Sequence, residues 1–204
     1  MWEDVKDNES YIVAVDVGGR TERADWSVVA VLKYGERPEV VAQWRGHIDH
    51  DLLARRAVKI ASYYNEALLV IESNTLESAD ESTSSSMVLR RVAESYWNTY
   101  QREESRNSGP GHNNLGFHTN SQTKAMLIDF LTEYVRDGKY IERDMMACDE
   151  LMTYCRLPNG SYAARRGCHD DILMTRALAL LVMEERPQEA MGDLMPIIVT
   201  GGCW

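Results

Sequence analysis

The sequence has no apolar run that approaches the ~20 residues of a membrane-spanning helix, so no membrane partner is expected. It also has no basic, apolar leader. The first ten residues, MWEDVKDNES, are acidic and polar, so a secretory signal is not expected and a cytoplasmic location is. Cysteine is scarce: Cys148, Cys155, Cys168 and Cys203 fit no close-paired zinc spacing. Without a leader they are not expected to form disulfides. Cys155, Cys168 and His169 are a poor match to metal-ligand spacing, and buried or incidental thiols are the better reading. Surplus positive charge is missing too. The net charge is −10, which argues against a plain electrostatic nucleic-acid binder. It leaves open an enzyme whose acids hold metal ions against a phosphate backbone. No internal repeat is visible.

What is present is enough for one core. The 204 residues are 44% hydrophobic, sufficient for one domain over 1–204. YIVAVDVGGR, residues 11–20, opens with a continuous apolar run of the kind found in a strand buried on both faces. DWSVVAVLKYG and RPEVVAQWRG are short, β-branched and bounded by Gly or Pro. The three segments predict an antiparallel three-strand meander. DLLARRAVKIASYYNE places Leu53, Ala57, Ile60, Ala61 and Tyr64 near helical spacing. ALLVIESN is a second buried-strand run. A polar loop is expected at 77–86, a helix over about 87–101, and a surface loop or lid in SRNSGPGHNN. Tyr96, Trp97 and Tyr100 of that helix are read as core. LGFHT predicts a short strand. NSQTKAMLIDFLTEYVRDG predicts a capped helix with Leu127, Phe130, Leu131 and Tyr134 on one stripe. A hairpin is expected around Pro158-Asn159-Gly160, following a short helix, and HDDILMTRALALLVMEE reads as an almost wholly apolar helix.

Acids end three of these core elements. Asp16 ends the first strand, Glu72 ends the strand after the first helix, and Asp170-Asp171 begin the last helix. Singly, each has an ordinary explanation: a turn residue, a salt-bridge partner, a helix cap. Together, if the two strands are parallel neighbours, they emerge at one sheet edge. Carboxylates gathered there repel and are costly to desolvate. Hard divalent cations remove that objection, because Mg²⁺ and Mn²⁺ prefer carboxylate oxygen. Two such ions about 4 Å apart serve phosphodiester hydrolysis. Helical phase favours Asp170 as the inward residue of its pair, but the first turn frays and both remain candidates. Gly18 and Gly19 are expected to let backbone approach the site closely.

The stretches AVDVGGRTERADWSVVAV, LLVIESN, GFHTNSQTKAMLIDFLTEYVRDGKYIERD, DELMTY and RRGCHDDILMTRALAL, from about 11 to 185, resemble an RNase H-like nuclease. They look most like the C-terminal nuclease domain of the large terminase subunit of tailed phages. The resemblance implies an α/β fold with a mixed central sheet, the antiparallel meander at one side and helices on both faces. It implies a metal-dependent endonuclease using two Mg²⁺ or Mn²⁺ ions to cut concatemeric DNA during genome packaging. By motif position Asp16 is the central metal ligand, Glu72 the second, and Asp170 and Asp171 complete the site. Asp25 and His169 are further candidate ligands. Arg20, Arg23, Lys124, Arg165 and Arg166 are candidate contacts to double-stranded DNA. The implied partners are a terminase ATPase domain, the small terminase subunit and the portal. No G-x-x-x-x-G-K-[ST] motif occurs, so the chain is read as a nuclease domain excised from a longer ATPase–nuclease, with 186–204 as a C-terminal tail.

Three rival readings stand beside this one. Resolvases and transposases share the fold and mechanism. Actin-like ATPases and sugar kinases also place Asp-x-Gly-Gly after a strand, but they need a second similar domain, for which 204 residues leave no room. A non-catalytic scaffold with the same core is disfavoured by acids at all three stations.

Overall fold

The computed structural model describes residues 1–21, 24–74, 84–102, 115–158 and 160–187. Arg23, residues 77–83 of the expected loop, SRNSGPGHNN, Asn159, Cys203 and the tail from 188 lie outside the described residues.

The expected meander forms from β1 (Tyr11–Asp16), β2 (Ser27–Lys33) and β3 (Glu39–Gly46). β1 pairs antiparallel with β2, and β2 with β3. Helix α1 (His50–Tyr63) then carries the chain back to β4 (Leu68–Asn74), which lies parallel to β1. Helix α2 (Ser84–Ala93) and β5 (Phe117–Thr119) follow, and β5 pairs parallel with β4. The sheet order is β3-β2-β1-β4-β5. α3 (Ser121–Arg136), α4 (Met145–Thr153), the β6 (Tyr154–Arg156) and β7 (Tyr162–Ala164) hairpin, and α5 (Asp171–Glu185) complete the described fold.

Alternation along the strands divides the core in two. Tyr11, Val13, Val15, Val29, Val31, Leu69 and Ile71 pack with α1 and α2. Ile12, Ala14, Ala30, Leu32, Leu68 and Val70 pack on the other face with α3 and α5. The strands are apolar on both faces because helices cover both. α5 is buried nearly all round, from Asp171 through Met183. Within that buried stretch the one long charged side chain, Arg176, is only 1% exposed. Nε and Nη2 donate to the two oxygens of Glu142 at 2.9 and 3.1 Å, and Nη1 donates to Thr175 Oγ1 at 3.3 Å. This bidentate pair ties α5 to the segment before α4, whose Ile141 bridges Glu39 at the start of β3.

Three expectations need correction. Helix α2 covers 84–93, so Ser84 to Ser86 belong to it, and it ends well before residue 101. The chain after it turns extended because it pairs with β4: Asn98 O accepts from Leu69 N–H and Tyr100 N–H donates to Leu69 O, both at 2.9 Å. The core aromatics of this stretch are Tyr96 and Tyr100, while Trp97 is 77% exposed. The glycines after Asp16 serve the turn itself. A Cβ on Gly18 would collide with the Asp25 carbonyl, and one on Gly19 with the Ala24 side chain. They let the chain fold back on the entrance to β2, where Gly19 N–H donates to Asp25 O at 2.9 Å.

Candidate metal centre

The same alternation places the strand-end acids. Asp16 follows Ile12 and Ala14, and Glu72 follows Leu68 and Val70, so both fall on the face covered by α3 and α5. Val15 pairs with Ile71 in the parallel register, which sets Asp16 beside Glu72 at the strand ends. α5 begins over that edge with Asp170 and Asp171. Three chain segments far apart in sequence thus deliver acids to one place.

Their electrostatics record the proximity. Burial drives the Asp16 carboxyl well above its usual range, and the charges of Glu72, Asp171 and Asp170 push it further; a hydrogen bond links Asp16 to Glu72. Burial also raises Glu72, opposed by the nearby Thr119 hydroxyl, by Asp16 and by the charge of Lys124. Against the helical-phase expectation, Asp171 is the inward member of the pair, because Asp170 stands at the N-cap outside the helical phase. Asp171, 5% exposed, is raised to about 6, first by burial and then by Asp25, with Asp170 adding to it and the Trp26 amide and His169 opposing. One of its oxygens, Oδ2, is buried without a hydrogen-bond partner among the described residues. The acids therefore form a single cluster with surplus negative charge.

The cations nearby are fewer than the acids. Lys124 Nζ donates to Asp170 Oδ2 at 3.1 Å. Burial alone works against the lysine's charge, but Asp170 prevails and raises it above its usual value. The α3 start that carries Lys124 is fixed by a capping box: Asn120 accepts from the amides of Gln122 and Thr123, and Thr123 Oγ1 accepts from the Asn120 amide at 2.8 Å. Arg45, from β3, lies over the Trp26 ring at 4.7 Å and reaches within 3.9 Å of Asp171 and 4.0 Å of Glu150. Sequence reasoning missed Arg45 and Glu150. No spacing marks a β3 arginine or an α4 acid as neighbours of the α5 start.

The remaining candidates are distributed around this centre. Asp25 is exposed and acts on Asp171 through its charge. His169 Nδ1 stands 3.7 Å from Asp171 Oδ2 on a side chain that is nearly half exposed. Arg20 is engaged away from the acids, with Nη2 3.4 Å from His50 Nδ1 and Nε 3.9 Å from Asp49. Arg165 and Arg166 are exposed in the turn between β7 and α5. Cys155 Sγ faces the Ala163 carbonyl at 3.7 Å, and Cys168 is exposed.

Among the described residues, no three His, Cys, Asp or Glu side chains already surround a single point as ligands. The donor chemistry nevertheless fits hard divalent cations. Among the described residues the cluster is built of carboxylates without a thiolate, and the Asp171 oxygen that lacks a hydrogen bond, together with the crowded Asp16–Glu72 pair, calls for positive charge.

The sheet order, the helices on both faces and the carboxylate edge define an RNase H-like fold. Solved structures that share it include terminase nucleases. The large terminase nuclease from thermophilic phage G20c with bound cobalt is 22% identical and matches over 87% of this chain and 83% of that one, with a TM-score of 0.62. Its magnesium-bound form gives 21%, the same coverage and a TM-score of 0.60. The human cytomegalovirus terminase nuclease domain, manganese-soaked and inhibitor-bound, is 11% identical over 86% of this chain and 84% of that one, with a TM-score of 0.56. No protein-family profile matches the sequence, and no curated protein matches it.

Proposed function

We propose that the chain is a divalent-metal-dependent endonuclease that hydrolyses DNA phosphodiesters, the nuclease part of a terminase that cuts concatemeric viral DNA during genome packaging. One observation carries this reading: Asp16, Glu72, Asp170 and Asp171 come from three core elements to one face of one sheet edge, where their charges repel. The likeness in fold to metal-bound terminase nucleases supports it.

Asp16 and Glu72 would hold Mg²⁺ or Mn²⁺ at the strand ends, with Asp170 and Asp171 closing the site from α5. When bound, a pair of such ions supplies Lewis-acid activation of water and stabilises the leaving oxygen of the phosphodiester. The chain's own task is to keep the carboxylates oriented and close together. Lys124 restrains Asp170 and offsets part of its charge. Arg165 and Arg166, exposed before α5, are placed to meet phosphates without reading bases. The partners of this reading are double-stranded DNA, a terminase ATPase domain, the small terminase subunit and the portal. Resolvase-type nucleases share the chemistry, and a branched-DNA substrate tested beside linear duplex separates them.

The direct test is nicking of supercoiled plasmid with and without Mn²⁺. Wild type cuts only with metal, and Asp16→Asn reduces cutting to background while circular dichroism shows an unchanged fold. Cutting by Asp16→Asn at the wild-type rate would refute the assignment.

A further inference from the structure

The start of α5 contains an arrangement that its own sequence does not announce. The first amides of a helix need acceptors, and an Asp at the N-cap normally supplies one to the second or third helical amide. For α5 those amides belong to Ile172 and Leu173. Asp170 occupies the N-cap position but makes no capping hydrogen bond. α3 and α4 are capped locally, α3 by Asn120 and α4 by Asp144, which accepts the Met146 amide, whereas Asp49 at the N-cap of α1, like Asp170, makes no side-chain cap.

At α5 the acceptor arrives from another helix. Glu150 Oε2 accepts the Leu173 amide at 2.9 Å, and the same carboxylate faces the Ile172 amide. Glu150 takes the amides that Asp170 would otherwise serve. Its position is fixed by packing, because it shares the buried face of α4 with Ala147. Ala147 in turn packs with Ile172 and Val28, with Trp26 against them. Arg45, stacked over Trp26, stands between the Glu150 and Asp171 carboxylates at 4.0 and 3.9 Å.

We propose that Glu150 is a positioning residue of the metal centre: by capping α5 from α4 it frees the carboxylates of Asp170 and Asp171 to face cations. The proposal rests on the metal-binding reading above. If Glu150 is removed, Asp170 rotates back onto the Ile172 and Leu173 amides and is lost to the site. Two substitutions separate this role from simple charge. Glu150→Gln keeps an acceptor of the same reach without the charge. Glu150→Asp keeps the charge but is one methylene too short.

The experiment is calorimetric titration of the full chain with Mn²⁺, beside hydrogen exchange at the Leu173 amide. Glu150→Ala and Glu150→Asp are expected to bind Mn²⁺ at least about tenfold more weakly, the range seen when groups that orient ligands are lost. Glu150→Gln is expected to stay within about threefold of wild type, since its amide oxygen still accepts the bond. Leu173 exchange should remain slow in wild type and Glu150→Gln and accelerate in Glu150→Asp. Should Glu150→Ala fail to fold, the ranking of Gln over Asp decides. Wild-type affinity in Glu150→Asp, or a Gln variant as weak as Asp, would overturn the capping role alone. A wild type that binds no Mn²⁺ would overturn the metal reading and this inference with it.

Discussion

α5 carries buried charge in two places about one and a half turns apart, and the two are built on opposite principles. At Arg176 the charge is matched: the guanidinium meets both oxygens of Glu142, and neither partner is left over. At the helix start the charge is in surplus. Asp170 and Asp171 join Asp16 and Glu72, and the described residues set against them Lys124, a distant approach from Arg45 and the half-exposed His169. Both arrangements pay the desolvation penalty of buried ions. A matched pair recovers that cost within the fold. A surplus of one sign is recovered only by something that binds.

The comparison can be broken first at its matched end. Arg176→Ala leaves the part-buried Glu142 without its cation and should cost about 3 kcal/mol, the lower end for a broken buried pair, read by urea unfolding in metal-free buffer. Exchanging Arg176 and Glu142 together for apolar residues of similar volume should recover most of that loss. A single-variant cost below about 1 kcal/mol would mean that the pair is not what holds α5 to the segment before α4.

The surplus end should respond in the opposite sense. Asp171 has a folded-state pKa of about 6 against an ordinary 3.8. The folded chain therefore binds the proton more tightly than the unfolded one, and this group's contribution to stability falls as pH rises between those values. The gap is worth up to about 3 kcal/mol at 1.36 kcal/mol per pH unit. Metal-free Asp171→Asn should accordingly gain stability relative to wild type as pH is raised from about 4 to about 6.5, by up to that amount. Parallel stability curves for the two proteins would show that the cluster imposes no strain on Asp171.

The two places also differ in how far they could be read from the sequence. Asp16 and Glu72 were legible because each ends an apolar run, and a change from apolar residues to an acid at a strand end shows without any partner in view. The parallel neighbourhood of β1 and β4 was the condition on which that reading stood, and it is what the sheet contains. The Arg176–Glu142 pair was not legible, since 34 residues separate its members and only the packing of α5 joins them. Glu150 looked like any helix acid for the same reason. The segment from Tyr96 to Gln101 was assigned to a helix because its own pattern permits one. Backbone pairing with Leu69 overrides that preference. Local periodicity therefore carried the strands and helices, and the contacts invisible to it are those made between elements.

The claim at the centre of this account is that the acids at residues 16, 72, 170 and 171 share divalent cations, and its most direct measurement is thermal unfolding of wild type and Asp16→Asn across a Mn²⁺ titration. Wild type should start the less stable of the two in chelator and rise in Tm with Mn²⁺, as binding to the folded state alone requires, while Asp16→Asn starts higher and stays flat. Equal Mn²⁺-dependent rises in both proteins, or none in wild type, would contradict it.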